Sequence, residues 1–288
     1  MKNYRIICVV DFLGSHTRQL SSWIASLLSL GIPASCMEVC LVEGGTPELV
    51  ERLARLGIAT RATPRLVDGK YCNKIGAFQP SVASGTPVLL TDVDIVFAEL
   101  PDIPVQPDDG RIWARIVDCP NPPLSILRDI YYAAGLTKLP LVTRCGYRDA
   151  QTFAINCNGG FYALSNATSV AIGASWLAWA EWLWKRRNLL EGYLIHLDQI
   201  AFGLAAHSDG LAIQLLPAED NFPTHLGPAA GNALICPPRI IHHHDRLAPD
   251  RTVLPLGHKD VDAQIEAVNR RMASTIAEVR AILEPDPM

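Results

Sequence analysis

The sequence predicts an α/β protein with a mostly parallel central sheet flanked by helices, and three features carry that reading. Short apolar, β-branched runs alternate with helical patterns through the N-terminal part of the chain. Turn formers such as Gly31-Ile32-Pro33 and Gly57 separate them. One of the apolar runs, TPVLLTDVDIVF, holds two aspartates just past its middle.

Taken in order, Tyr4 to Asp11 reads as a buried strand, followed by a Gly14-Ser15 turn and a helix from His16 to Leu30. Ala34 to Val42 is a second strand, Pro47 to Leu56 a helix ended by Gly57, and Ile58 to Ala62 a short third strand. Alternation of this kind builds parallel pairings with helices on both faces. Asn73 to Ser84 reads as the next helix. Lys74 near its start lies where a phosphate or carboxylate could sit, although a solvated lysine is the ordinary reading.

Thr86 to Phe97 then reads as a buried strand that puts Asp92 and Asp94 on one face. Two buried carboxylates without a partner would be expensive, so a divalent cation is the first candidate beside them. The same letters recur at Asp260, Val261 and Asp262, but there they open an amphipathic pattern, where acids favour a helix N-terminus. Context, rather than the tripeptide, marks the first copy.

Pro101 to Pro123 is proline-rich and loop-like, with Ile112 to Val117 as a candidate strand inside it. Phe153 to Leu164 is strand-like. Its Asn158-Gly159-Gly160 marks either a bulge or close ligand approach, or a plain hairpin turn. Ser175 to Leu189 is helical, with Trp176, Trp179 and Trp182 three apart and Trp184 nearby, a stripe that reads as core packing. In the following helix, YLIHLDQIAFGLAAH, Asp198 and Gln199 fall inside an apolar pattern and need partners. Leu211 to Leu216 is a strand and Asn221 to His225 a polar loop. Pro238 to His242 is a last strand, ending in His242, His243 and His244, of which the first and third share a face. Three histidines at a strand end favour a metal or phosphate site.

With 288 residues, 49% of them hydrophobic, the chain can bury a sizeable core. One domain over residues 1–260 is expected, with the amphipathic helix of 261–288 packed on it. A net charge of -4 gives no electrostatic reason for a nucleic-acid partner, and no basic block suggests an anionic membrane surface. The eight cysteines lie scattered without a CxxC pair, as small core residues in a reducing compartment would. The apolar start is too short for a leader, and no run is long enough for a transmembrane segment. A cytoplasmic protein is the expectation.

The series NKIGAF, LLTDVDIVF, NCNGGFYAL, HLDQIAF and RIIHHHD, in that order over nearly the whole chain, resembles the GT-A glycosyltransferases, and among them those similar to glycosyltransferase family 8. The resemblance implies a GT-A fold: a Rossmann-like nucleotide-binding half and a smaller mixed acceptor-side half. It implies that Asp92 and Asp94 hold Mn2+ or Mg2+, that His242 is the third protein ligand, and that His244 replaces it if the register differs by two. Asp92 and Lys74 would contact the donor, Asn158 and Gly159 would line the sugar pocket, and Asp11 would meet the nucleotide base. Asp198 and Gln199 would lie nearest the transferred sugar. The implied activity is transfer from a nucleotide-sugar, UDP-linked by expectation, to an unknown acceptor: a glycan, a lipid-linked molecule or a small molecule. Retention of configuration follows from the resemblance alone. The family's Lys-Pro-Trp stretch after the late histidine is absent, leaving Arg246 and Lys259 as candidate phosphate contacts.

Two rivals remain at this level. A sugar-nucleotide pyrophosphorylase shares the architecture but needs a glycine-rich basic loop after the first strand, where this chain has DFLGSHTRQL with a single glycine. A catalytically inactive GT-A domain serving as a scaffold or binding protein is the other.

Overall fold

The computed structural model describes residues 4–11, 16–78, 86–104 and 110–284. The Gly14-Ser15 turn, the end of the expected 73–84 helix and part of the proline-rich loop lie outside them. Strand β1 (Arg5–Val10), helix α1 (His16–Ser29), strand β2 (Met37–Val42), helix α2 (Pro47–Arg55) and strand β3 (Ala59–Thr63) follow the expected alternation closely. Local chemistry explains α2: the Thr46 hydroxyl accepts the Leu49 N–H, Pro47 occupies the first turn, and Gly57 follows with φ +75°.

The aspartate run is not one strand. It is β4 (Val88–Thr91) and β5 (Ile95–Phe97), with Asp92 to Asp94 forming the connection between them. Alternation within a strand therefore does not aim the two carboxylates. The expected helix at 73–84 is, over its described part, a 3₁₀ helix, Tyr71–Phe78. Next come β6 (Arg111–Ile116), α3 (Leu124–Ala133), β7 (Val142–Arg144), β8 (Gln151–Phe153) and β9 (Cys157–Leu164). Asn158, Gly159 and Gly160 lie inside β9, so the hairpin reading fails. Helices α4 (Asn166–Trp184) and α5 (Leu197–Ser208) lead to β10 (Ala212–Leu215), β11 (Asp220–Pro223), β12 (Ile240–His242) and α6 (Lys259–Leu283). The supposed polar loop at 221–225 is thus mostly a buried strand. Asp260 and Asp262 do fall in the first turn of α6, and Asp262 accepts the N–H groups of Leu256 and Gly257.

The chain divides into two compact units, a terminal unit of Arg5–Thr63, Thr91–Asp102 and Pro217–Met288, and a middle unit formed chiefly by Pro64–Leu90 and Ile103–Leu216. In the terminal unit β1, β2 and β3 pair in parallel, in that order. Beside these strands β11 pairs parallel to β12, and β12 antiparallel to β5. Helix α6 packs on α1, burying Val261, Ile265, Val268, Met272, Ile276, Val279 and Leu283. In the middle unit the strand order is β10-β6-β9-β4, with β10 parallel and β9 antiparallel to β6. Trp176 on α4 is fully buried against Phe78, Tyr162 and Phe202. The expected α/β class, with a mostly parallel sheet and flanking helices, is the class observed. No described helix is long and apolar enough to cross a membrane.

Candidate functional site

The terminal unit brings Asp92, Asp94 and His242 together: one ligand atom from each lies within 4.8 Å of the others. Backbone pairing does this. In the antiparallel β5–β12 ladder His242 stands opposite Ile95, and the His243 N–H donates to the Asp94 carbonyl at 2.9 Å. The connection carrying the aspartates is itself held. The Trp23 indole donates to the Thr91 hydroxyl at 2.8 Å, the Ser26 hydroxyl accepts the Phe97 N–H, and Arg271 of α6 donates to the carbonyls of Phe97 and Ala98.

The donor set fits a hard divalent ion. His242 Nδ1 lies 3.0 Å from the Asn221 side-chain oxygen, which directs its proton there and leaves the Nε2 lone pair aimed at Asp94 Oδ1, also 3.0 Å away. Two lone-pair donors at that distance repel unless a proton or a cation lies between them. Neighbouring ligands of an octahedral ion with bonds of about 2.1 Å stand about 3 Å apart. Asn221 is fully buried with φ +83°, a backbone conformation that asparagine tolerates and bulkier residues avoid. Burial works to raise the Asp94 carboxyl, but with a proton on Nε2 the charge and hydrogen bond of His242 outweigh burial and hold it well below the usual carboxylate range, and a cation between the two groups takes the place of that proton. Burial lowers His243 to about 4 and His244 to about 3, so both are neutral at pH 7.

His244 stacks on His242, ring centroids 3.9 Å apart, but it lies past the end of β12 with φ +48°, so a turn and not strand alternation brings the two rings together. Its Nδ1 donates to the His242 carbonyl and its Nε2 meets His225 Nδ1 at 3.1 Å. Both nitrogens thus face protein partners, and His244 is not part of the ligand cluster. Asp11, buried at the end of β1, has its backbone N–H bound to His16 Nδ1. Of the residues considered after the late histidine, Arg246 donates to the Pro255 carbonyl and Lys259 opens α6.

The middle unit gathers the other expected residues. Lys74 is no solvated lysine: its Nζ donates to the Gly159 carbonyl at 3.1 Å and lies 3.4 Å from Asp198 Oδ2, a carboxylate only 1% exposed. Gly159 permits that convergence, since a Cβ there would lie 3.0 Å from Gln199 Cγ, 3.1 Å from Lys74 Nζ and 3.3 Å from Asp198 Oδ2. The glycine in the strand pattern therefore marks a close approach of side chains. Gln199 Nε2 meets His196 Nδ1 at 3.2 Å, and the Asp198 carbonyl accepts the buried Trp176 indole.

Sequence reasoning missed Arg115, Asp118 and His196. Asn158 is locked from both ends: its oxygen accepts the Gly160 N–H at 2.8 Å, and its nitrogen donates to Asp118 Oδ2 at 3.2 Å. Asp118 is in turn paired with Arg115, 2.6 Å between Nη1 and Oδ1, and Arg115 is buried over the Tyr147 ring. A signal existed in Gly146, where a Cβ would lie 2.7 Å from Arg115 Nη2, but it reads only with the partner known.

No protein-family model matches the chain, and no curated protein matches it in sequence. Solved structures do. The glycosyltransferase GlyE of Streptococcus pneumoniae TIGR4 aligns with a TM-score of 0.51 at 14% identity, over 97% of this chain and 63% of that one. Its apo form aligns with a TM-score of 0.50 at 13% identity, over 96% and 63%. Mouse xyloside xylosyltransferase 1, apo form, aligns at 0.49 and 12% identity, over 84% of this chain and 98% of that one. This chain spans 63% of the GlyE chain, and at such identities the two GlyE alignments establish architecture. The fold is the GT-A glycosyltransferase fold.

Proposed function

We propose that this chain is a metal-dependent glycosyltransferase that moves a sugar from a nucleotide-diphosphate donor, UDP-linked in the first instance, to an acceptor. The observation that carries the reading is the convergence of Asp92, Asp94 and His242, with Asn221 fixing the imidazole. Asp92, Asp94 and His242 would hold the ion. Carboxylate oxygens choose a hard cation, and the imidazole tilts the choice toward Mn2+ without excluding Mg2+. When bound, the ion would supply positive charge to a leaving diphosphate.

The remaining roles belong to the chain's own residues. Asp11 is assigned to the nucleotide base. Lys74, already paired with Asp198, offers a positive charge for the donor, and Asn158 and Gly159 are assigned to the sugar. Gln199 presents its amide to the sugar carbon as positive charge grows there, and Asp198 anchors its hydroxyls. Retention of configuration stays with this proposal, as does a cytoplasmic location.

Thermal unfolding with UDP and Mn2+, followed by a turnover assay over a panel of nucleotide sugars, tests the reading. The expected result is stabilisation by UDP only when the metal is present, and release of UDP from one sugar nucleotide that EDTA stops. Binding without turnover across the panel would turn the reading toward an inactive scaffold. Turnover undiminished in Asp94→Ala would remove the metal.

A further inference from the structure

Helix α4 departs from the pattern its position demands. A helix at the surface shows one apolar stripe toward the core and a polar face outward. In α4 the core side holds Ile172, Trp176, Ala180 and Leu183, all fully buried. The outward positions are Ala167, Val170, Ala171, Ala174, Ala178 and the single acid Glu181, with Leu177 half-buried at one edge of that face and Trp182 at the other, while Trp179 turns toward α5, its indole donating to the Ser208 hydroxyl at 2.9 Å. Of the four tryptophans read as one core stripe, only Trp176 is core. Trp179 and Trp182 pack edge to face with centroids 5.5 Å apart.

The helix then ends in three consecutive exposed cations, Lys185, Arg186 and Arg187. Arg186 stacks over the Trp182 ring at 4.6 Å and Arg187 over the Trp184 ring at 5.2 Å, and each donates to a last-turn carbonyl of α4. Indole rings beside guanidinium groups, at the end of an apolar helix face, suit the boundary between headgroups and acyl chains.

We infer that the outer face of α4 docks the protein on an anionic lipid bilayer, with Val170, Leu177, Trp182 and Trp184 meeting the interface and Lys185, Arg186 and Arg187 the anionic headgroups. Charge selects this occupant over a second copy of the chain: a two-fold interface centred on these cations would set them against themselves. The short basic run carries little meaning as composition, and gains it from its place beside the exposed apolar face. The docking does not depend on the transfer reaction.

Co-sedimentation with vesicles of phosphatidylcholine alone, and of phosphatidylcholine with phosphatidylglycerol, tests it, with tryptophan emission as a second readout. The full chain is expected to bind the anionic vesicles only, with a blue shift, and to be released by salt. Arg186→Gln and Arg187→Gln together should weaken binding by about 25-fold, near fivefold per cation. Val170→Glu, at a position 37% exposed, should weaken binding with the melting temperature unchanged. Absence of binding to anionic vesicles would overturn the inference. So would binding that both variants leave intact, or a dimer in light scattering that Val170→Glu dissociates while vesicles go unbound.

Discussion

His242 is fixed by Asn221 on one side and aimed at Asp94 on the other. Asp94→Asn should therefore abolish the rise in melting temperature that Mn2+ gives, and lower metal-dependent turnover at least about 100-fold, as calorimetry and steady-state kinetics would show. Asn221→Ala leaves the ligands but frees the imidazole, so metal affinity should fall about 10- to 100-fold by titration. In the middle unit Gly159→Ala places a methyl group against Gln199, Lys74 and Asp198. Turnover should drop about 10- to 100-fold while the melting temperature changes little. Arg115→Met has the opposite profile. It leaves the Asp118 carboxylate buried without its guanidinium, a loss of about 3–5 kcal/mol that chemical denaturation would register.

At the scale of elements, α6 closes the terminal unit, and Glu284 just beyond it binds Arg251 and the Ser21 hydroxyl. Burial works to raise the Glu284 carboxyl, but these hydrogen bonds and the Arg251 charge bring it below the usual glutamate range. A depressed carboxyl contributes stability that is full above the unfolded pKa, about 4.3, and fades as pH falls through the folded value. The melting-temperature gap between the native protein and Glu284→Gln should thus be constant from pH 7 to about 5 and narrow below about 4. Elements with local causes were legible in the sequence: β1 and β2 are mostly apolar runs, broken only by Arg5 and Glu38, and α2 has its cap, its proline and its terminal glycine. The aspartate connection was misread as strand interior because its letters keep a strand's composition through the turn. The 221–225 segment was misread as a loop because its asparagine and threonine are polar, yet Asn221 and Thr224 are buried serving His242. The pair Arg115 and Asp118 was illegible, since a charge in a strand pattern looks the same whether it faces water or a partner. Helix α3 and the β7–β8 hairpin lie between Pro123 and Ala154, a stretch in which the sequence reading named no separate element.

Across the whole molecule, all three candidate metal ligands come from the terminal unit, while Lys74, Asn158, Gly159, Asp198 and Gln199 come from the middle unit. The order of motifs made the fold class legible, but not which far-apart residues touch. Asp94 and His242 stand 148 positions apart along the chain yet side by side in space. An ion shared by them would behave as a clasp on a very long loop, so its removal should reach beyond chemistry to chain topology. Chelation would then loosen the junction of β5 with β12, and amide exchange at His243, whose N–H is held by the Asp94 carbonyl, should quicken before exchange in β1 and β2 does.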